Sequence, residues 1–219
     1  MPRRICLLAL LVLLLCIFPD TGASAPSEYA IFIDVEQKTL YLFGDDALLA
    51  HYPVATGAWD TPTPLGVFRI THRFSGQMGA FGTCFLGLNV PWGNYGIHGT
   101  DKPDSIGQNA SHGCIRMRVR DAEALYATVP NGTRVVIACG PYGDLGMSLR
   151  TLKNGDRSSM VRALQCRLRA LGYFSGTPDG IWGSATQRAV DAARAACHLS
   201  PNGLCDWALY QAIGLTLFE

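Results

Sequence analysis

The sequence predicts a mainly β domain followed by a small all-α domain. Between residues 29 and 139, short runs of apolar, β-branched and aromatic residues alternate with turns rich in Gly, Pro and Asn, which is typical of strands. After residue 143 the apolar residues recur at helical spacing, and Val161, Leu164, Leu168 and Leu171 fall on one helix face. A length of 219 residues accommodates two such domains.

The elements of the first part follow from local patterns. Five runs predict strands, the first two paired as a hairpin: residues 30–35, 39–43, 51–56, 67–71 and 135–138. Pro62 and Pro64 cannot donate to a strand ladder, so the segment between the third and fourth runs is predicted to be a rigid extended loop. A single helix is predicted at residues 121–128, with Asp121 as its N-cap.

The second part predicts three helices within residues 151–216. Residues 184–187 (SATQ) match a capping box, which predicts a helix start at Ser184. Four alanines then form a narrow stripe suited to close packing: Ala185, Ala189, Ala192 and Ala196. Residues 179–190 align with residues 202–213, and each copy reads as a turn followed by a helix. The repeat predicts two similar turn–helix units after the first helix.

The composition excludes several classes of protein. Eighteen Lys and Arg balance 17 Asp and Glu, so the net charge is +1 and no charge surplus exists to hold a nucleic acid. A 48% hydrophobic content argues against disorder. Eight cysteines are many for a cytosolic protein, although too few for a miniature disulfide scaffold.

The amino terminus predicts export. Two arginines within residues 1–4 precede an apolar run at residues 5–18 and a small-residue stretch that ends at Ala25. This order is typical of a secretory signal peptide, here assigned to residues 1–25, with cleavage after Ala23 as the alternative. The apolar run is shorter than the ~20 residues that a membrane span requires. Removal of this segment would leave six cysteines, and the sequence does not determine how those other than Cys114 pair.

The strongest chemical signal consists of two short motifs around residues 98 and 114. His98 belongs to YGIHGT (95–100), and Cys114 belongs to SHGCIRM (111–117). The ten residues between the motifs favour a loop, so two strands could place imidazole and thiol side by side. A neighbouring histidine can take the proton of a thiol and later return it to a leaving amine. Gly113 would let a substrate carbonyl approach, with the amides of Gly113 and Cys114 aimed at the oxyanion.

Two further interpretations concern the surroundings of Cys114. Alternation after Cys114 predicts that three arginines share its face and favour the thiolate: Arg116, Arg118 and Arg120. As an alternative, His98, His112 and Cys114 could bind zinc, with only Asp101 or Asp104 nearby as a fourth ligand. The local chemistry favours a nucleophilic thiol over this metal site.

These motifs resemble the signature of L,D-transpeptidase (YkuD-type) catalytic domains. The resemblance covers residues 27–139 and includes TPTPLG (61–66) and VPNGTRVVI (129–137). It implies a β-sandwich-like fold with few helices. It also implies roles for seven residues: Cys114 as nucleophile; His98 as general base and acid, oriented by the carbonyl of Gly99; Ser111, His112 and Gly113 lining the site; and Arg116 contacting substrate.

The resemblance also implies a reaction. Cys114 would attack a peptidoglycan tetrapeptide stem, expel its terminal D-Ala, and pass the acyl group to the amine of a second stem as a 3→3 cross-link. The alternatives are an L,D-carboxypeptidase, with water as acceptor, and a non-catalytic wall-binding protein. No metal or other cofactor is expected. A carbapenem-type β-lactam would acylate the same thiol, and a monomer is expected.

The all-α part resembles a peptidoglycan-binding domain of the three-helix type. LKNG (152–155), VRALQ (161–165) and DGIWG (179–183) carry this resemblance, after a linker at residues 140–150. It implies that glycan or stem peptide binds residues 151–216. The alternative is a helical cap without a ligand of its own.

Overall fold

The computed structural model describes residues 25–140, 145–146 and 149–215, and these residues contain ten strands and four α-helices. The predicted signal peptide lies almost entirely outside these residues. The strands are β1 (Tyr29–Asp34), β2 (Thr39–Gly44), β3 (Ala47–Pro53), β4 (Thr56–Gly57), β5 (Gly66–Ser75), β6 (Cys84–Leu88), β7 (Tyr95–Gly99), β8 (Asn109–Ser111), β9 (Ile115–Met117) and β10 (Arg134–Ala138). The helices are α1 (Val119–Thr128), α2 (Ser159–Ala170), α3 (Ser184–Ala196) and α4 (Trp207–Ala212).

Eight strands form one mixed sheet with the order β3-β2-β1-β10-β5-β6-β7-β9, while β4 and β8 form a separate pair. Strand β5 belongs to both halves of the sheet, since it pairs with β10 near its start and with β6 from Ile70 onward, with a register shift between Ile70 and His72. Inward side chains from both halves build one core, as in a sandwich whose layers share a strand. The predicted mainly β architecture is confirmed.

The hairpin of β1 and β2 is confirmed, with Asp34 opposite Thr39.

The first helix begins earlier than the sequence predicts. Helix α1, however, begins at Val119 with Arg118 as N-cap, and Asp121 lies buried in its first turn. The prediction of Asp121 as N-cap was therefore wrong, because β9 ends at Met117 and the chain turns directly into the helix.

The second part has its own core and is all α, as predicted. Val161, Leu164 and Leu168 are fully buried on α2, whereas Leu171 follows the helix and is 40% exposed. The repeat is confirmed in form, since α3 and α4 each follow a turn at equivalent positions.

Helix α3 begins at Ser184 as predicted, but its predicted capping box and packing face were wrong. Gly183 is the N-cap of α3 without a side-chain hydrogen bond, so the SATQ capping box does not form. The amide of Gln187 instead accepts from the Trp182 indole and donates to the Gly203 carbonyl. The alanine stripe is also rotated, because only Ala189 of the four is buried and the packed face is completed by Thr186, Val190 and Ala193.

The helical domain docks on the β domain through the start of α2 and the turn before α3. The buried amide of Leu65 donates to the Ser159 hydroxyl over 2.6 Å. The Arg162 guanidinium lies 5.5 Å from the centre of the Phe68 ring, and Ile181 packs against the β-domain core. The two domains therefore share a packed interface.

Six cysteines lie within the described residues and all are free thiols: Cys84, Cys114, Cys139, Cys166, Cys197 and Cys205. Cys84, Cys139 and Cys205 are buried, while Cys166 is exposed. Within the described part of the chain, each helix is too short or too polar to cross a lipid bilayer.

Candidate active site

The two predicted strands bring Cys114 and His98 to the same face of the sheet. Strands β7 and β9 pair in parallel, with His98 opposite Arg116, so Cys114 lies two residues before the partner of His98. Side chains at this spacing point to one face and lie close enough to interact. The backbone N–H of Gly96 is close enough to the Cys114 thiol to lower its pKa. A thiol and an imidazole therefore lie on one sheet face, on the adjacent strands β7 and β9.

The His98 ring is buried and fixed by the backbone. Its Nδ1 atom hydrogen-bonds the carbonyl oxygen of the next residue, Gly99. Because a carbonyl only accepts, Nδ1 carries the proton and Nε2 presents a lone pair. Burial lowers the pKa of His98 below its ordinary value of 6.5, and the positive charge of Arg116 acts in the same direction. The imidazole is thus neutral at neutral pH and can accept a proton.

Burial also keeps Cys114 protonated in the resting protein. Loss of water raises the pKa of the Cys114 thiol above its ordinary value of 9.0, and the Gly96 amide and Arg116 only partly oppose this effect. Arg116 favours the thiolate, in the predicted direction, but burial outweighs its effect. The pair consists of a neutral thiol and a neutral imidazole.

The turn before Cys114 is held by the side chain of Ser111. The Ser111 hydroxyl donates to the carbonyl oxygen of Cys114 over 2.5 Å and accepts from the N–H of Gly113 over 3.0 Å. Gly113 has a φ of +105°, and a Cβ there would lie 2.6 Å from Cε1 of Tyr95. A residue with a side chain would therefore strain this turn. His112 is exposed beside it.

Of the three predicted arginines, only Arg116 shares the face of Cys114. Strand β9 ends at Met117, Arg118 caps α1, and Arg120 lies on that helix 3.5 Å from the Asp121 carboxylate. The guanidinium of Arg116 forms no hydrogen bond or ion pair with another described residue. It is therefore available to bind a carboxylate of a ligand.

Sequence reasoning missed the ring of aromatic side chains around His98. Phe81 meets the imidazole edge-on at 4.8 Å between ring centres, and Phe85 stacks on it at 5.9 Å. Phe85 lies directly opposite His98 in the β6–β7 register. The sequence shows these residues only as isolated aromatic side chains, and the pairing of the strands reveals that they surround His98.

The zinc alternative lacks a set of ligands in the described part of the chain. Within residues 25–140, 145–146 and 149–215, no three His, Cys, Asp or Glu side chains come together so that they could bind a metal ion. His112, one of the three suggested ligands, is exposed on the turn before Cys114.

Two family models match the chain. The model described as "L,D-transpeptidase catalytic domain" matches residues 28–137. The model described as "Putative peptidoglycan binding domain" matches residues 157–213. Each match falls within one of the two domains of the structure.

Curated relatives match the first domain. The "Putative L,D-transpeptidase YkuD" of Bacillus licheniformis is 46% identical over 119 residues, covering 54% of this chain and 68% of that protein. Its namesake in Bacillus subtilis is 44% identical over 109 residues, covering 50% and 65%. The "Putative L,D-transpeptidase YqjB" of the latter species is 30% identical, covering 61% and 85%.

Solved structures match the same half of the chain. The catalytic domain of the Enterococcus faecium L,D-transpeptidase, solved by NMR, is 23% identical with a TM-score of 0.45, covering 50% of this chain and 96% of that one. An L,D-transpeptidase from Mycobacterium smegmatis is 22% identical with a TM-score of 0.43, covering 50% and 58%.

Proposed function

The chain belongs to the L,D-transpeptidase family with a YkuD-type catalytic domain, and from this premise we propose that it forms 3→3 cross-links in peptidoglycan through a thioester on Cys114. The observation that carries the proposal is the partly buried thiol of Cys114 on the same sheet face as a neutral His98 whose Nε2 carries a lone pair. An acyl-transfer enzyme needs this combination of nucleophile and base.

In the first half of the reaction, Cys114 attacks the carbonyl that precedes the terminal D-Ala of a tetrapeptide stem. The thiol proton passes to Nε2 of His98 as the C–S bond forms, and it then moves to the nitrogen of D-Ala as the C–N bond breaks. Because neither group is charged at rest, the thiol must give up its proton to His98 in order to attack. The carbonyl of Gly99 stabilises the imidazolium that forms.

The oxyanion that develops during the attack requires hydrogen-bond donors that are not already used within the protein. The N–H of Gly113 is engaged by Ser111, so it serves the turn and is not free for substrate. We therefore assign the oxyanion contact to the N–H of Cys114 alone, and Ser111 and Gly113 position it. Arg116 binds a carboxylate of the substrate, and exposed His112 borders the entrance.

In the second half, an amine of another stem attacks the thioester. His98 takes the amine proton and returns it to the sulfur as the C–S bond breaks, so the thiol is restored. Water as acceptor would give the carboxypeptidase reaction from the same intermediate. The matched binding domain at residues 157–213 suggests that the helical domain holds the enzyme on the cell wall. This proposal includes export through the predicted signal peptide.

The test is mass spectrometry of purified enzyme with a tetrapeptide stem. We expect a protein adduct on Cys114, released D-Ala and a cross-linked dimer, with the adduct absent in Cys114→Ala. Matched Cys166→Ala removes an exposed thiol on α2 and should leave all three products unchanged. Released D-Ala without dimer would establish the carboxypeptidase. Absence of any adduct with the stem or with a carbapenem would leave only wall binding.

A further inference from the structure

A strip of aromatic side chains crosses the open sheet face and ends at the catalytic histidine. It consists of His72 and Phe74 on β5, Phe85 on β6 and Phe81 in the turn between them. Phe74 lies opposite Phe85, and Phe85 lies opposite His98, so three rings occupy one row across three strands. His98 pairs with Arg116 on the next strand. The strip therefore extends from His98 in the direction away from Arg116.

The rings of the strip are in contact and partly open to solvent. His72 lies 5.5 Å from Phe74 and 6.1 Å from Phe85, measured between ring centres, and Phe81 lies 5.7 Å from Phe85. Phe74 is 55% exposed and Phe81 is 44% exposed. Contiguous exposed aromatic surface beside a reactive centre is typical of a binding site rather than of a packed core.

Two glycines allow these rings to lie flat on the sheet. A Cβ on Gly87 would lie 1.9 Å from Nε2 of His72, and a Cβ on Gly96 would lie 2.3 Å from Cζ of Phe85. The tip of the Phe85 ring therefore covers Gly96, whose N–H lowers the pKa of the Cys114 thiol. Aromatic faces consequently extend from solvent to the nucleophile.

Two charged groups act on His98 with opposite signs. The Asp101 carboxylate is near enough to raise the pKa of His98, although burial and Arg116 prevail over it. Arg116 lies on β9, on the side of His98 away from the strip. A primary ammonium is attracted to a carboxylate and to aromatic faces, and it is repelled by a guanidinium.

We infer that the aromatic strip is the acceptor subsite, which takes the aliphatic primary ammonium side chain of the second stem and guides its nitrogen to His98. This inference rests on the proposed transpeptidase function. The methylenes of the acceptor lie along Phe74, Phe81 and Phe85, and its ammonium moves over their faces.

The acceptor must be neutral before it attacks. The ammonium gives one proton to the neutral His98, which passes it to water. The free amine then attacks the thioester carbon, forming the C–N bond and breaking the C–S bond. Its next proton passes through His98 to the sulfur of Cys114, so both the thiol and the imidazole are regenerated.

The experiment measures how the thioester partitions between amine and water. Full-length enzyme receives a tetrapeptide donor and Nα-acetyl-lysine amide as the acceptor probe, and mass spectrometry gives the ratio of amide product to hydrolysed product. We expect Phe74→Leu, which keeps apolar bulk but removes the π face, to lower this ratio about threefold. Phe74→Tyr should restore it. Leu48→Ala, which alters a 54% exposed apolar side chain on β3, is the control and should leave the ratio unchanged.

Acylation by a carbapenem requires no acceptor, so it reports the proposed function separately. A wild-type enzyme that forms no adduct on Cys114 would refute that function and this inference with it. Normal acylation with an equal partition ratio in wild type, Phe74→Leu and a Phe74→Leu/Phe81→Leu double variant would overturn the acceptor subsite alone. A wild-type thioester that only water resolves would refute the transpeptidase function, and the inference with it.

Discussion

The Ser111 hydroxyl donates a hydrogen bond of 2.5 Å to the carbonyl oxygen of Cys114, three residues further along the chain. The hydroxyl oxygen of Ser111 also accepts from the N–H of Gly113, so one small side chain closes the turn that presents the nucleophile. Ser111 is 2% exposed. Its place in the proposed reaction is positioning rather than proton transfer.

Ser111→Ala should slow acylation of Cys114 by about tenfold or more, because two hydrogen bonds worth about 1 kcal/mol each are lost from the turn. The burst of adduct formation with a carbapenem measures this rate. Since the base is untouched, the pH at half-maximal rate should stay where it is. Ser105→Ala, which removes a 2.7 Å hydrogen bond to Lys102 in an outer turn, is the matched control. A shifted pH profile would show that Ser111 takes part in proton transfer instead.

The pH dependence of acylation should follow the protonation of His98. Burial lowers the pKa of this imidazole below 6.5, and only the neutral form accepts the thiol proton. The rate is therefore lost as the pH falls through the lowered pKa and is fully present above it. The half-maximal rate in stopped-flow acylation is expected below pH 6.5. A half-maximal rate above pH 9 would instead identify ionisation of Cys114 as the controlling event.

Arg116→Gln should move this profile and weaken substrate binding. The guanidinium lowers the pKa of both His98 and Cys114, so its removal raises both and shifts the half-maximal rate to higher pH. Loss of a charged hydrogen bond to a substrate carboxylate should reduce kcat/KM by about tenfold to a hundredfold. Arg118→Gln, at an exposed position outside β9, should change neither quantity. Equal effects of the two substitutions would exclude a specific role for Arg116.

The sequence predicted correctly those features that depend on residues close together in the chain. The alternation around the first hairpin fixes which faces of β1 and β2 are buried, and the short loop between His98 and Cys114 leaves little freedom for the strands that carry them. Alternation could not show where β9 stops, because Arg118 would fit a strand or a helix N-cap equally well. Alanine is compatible with both sides of α3, so its spacing did not identify the buried face.

Long-range packing determines what the sequence could not predict. The direction of the Cys114 pKa depends on burial by residues from other strands, which outweighs the nearby arginine. The aromatic strip joins β5, β6 and a connecting turn, and only the register reveals that Phe74, Phe85 and His98 are neighbours. The domain interface likewise joins Leu65 to Ser159, which are 94 residues apart.

The free thiols should differ sharply in reactivity toward iodoacetamide at pH 8. Cys166 is exposed on α2, whereas Cys205 is fully buried and its burial raises the thiol pKa to about 12. Burial also raises the pKa of Cys84 and Cys139. We expect Cys166 to be alkylated first and Cys84, Cys139 and Cys205 only after unfolding, as peptide mapping would show. Cys166→Ser should abolish the fast adduct, and persistence of that adduct would contradict the described exposure.

Ser159→Ala should loosen the docking of the helical domain. The substitution leaves the buried N–H of Leu65 without its acceptor, which costs about 1–3 kcal/mol. In calorimetry, we expect a lower Tm and separation of the two domain transitions. Ser158→Ala removes the N-cap of α2, so it should destabilise the helical domain by about 1 kcal/mol without increasing the dimensions seen in small-angle scattering. Identical scattering changes in the two variants would show that helix stability alone holds the domains together.

The loop from Pro62 to Leu65 connects the interface between the domains with the active site. Its Thr63 hydroxyl accepts from the N–H of Gly57 over 2.8 Å, and its Pro62 carbonyl oxygen lies 3.2 Å from where a Cβ of Gly113 would be. Leu65 at one end is held by the helical domain, and Pro62 at the other borders the turn before Cys114. Ser159→Ala should therefore lower the carbapenem acylation rate severalfold, although the substitution lies in the helical domain. Ser158→Ala should leave the rate unchanged, and a slowed Ser158→Ala would indicate a general loss of stability instead.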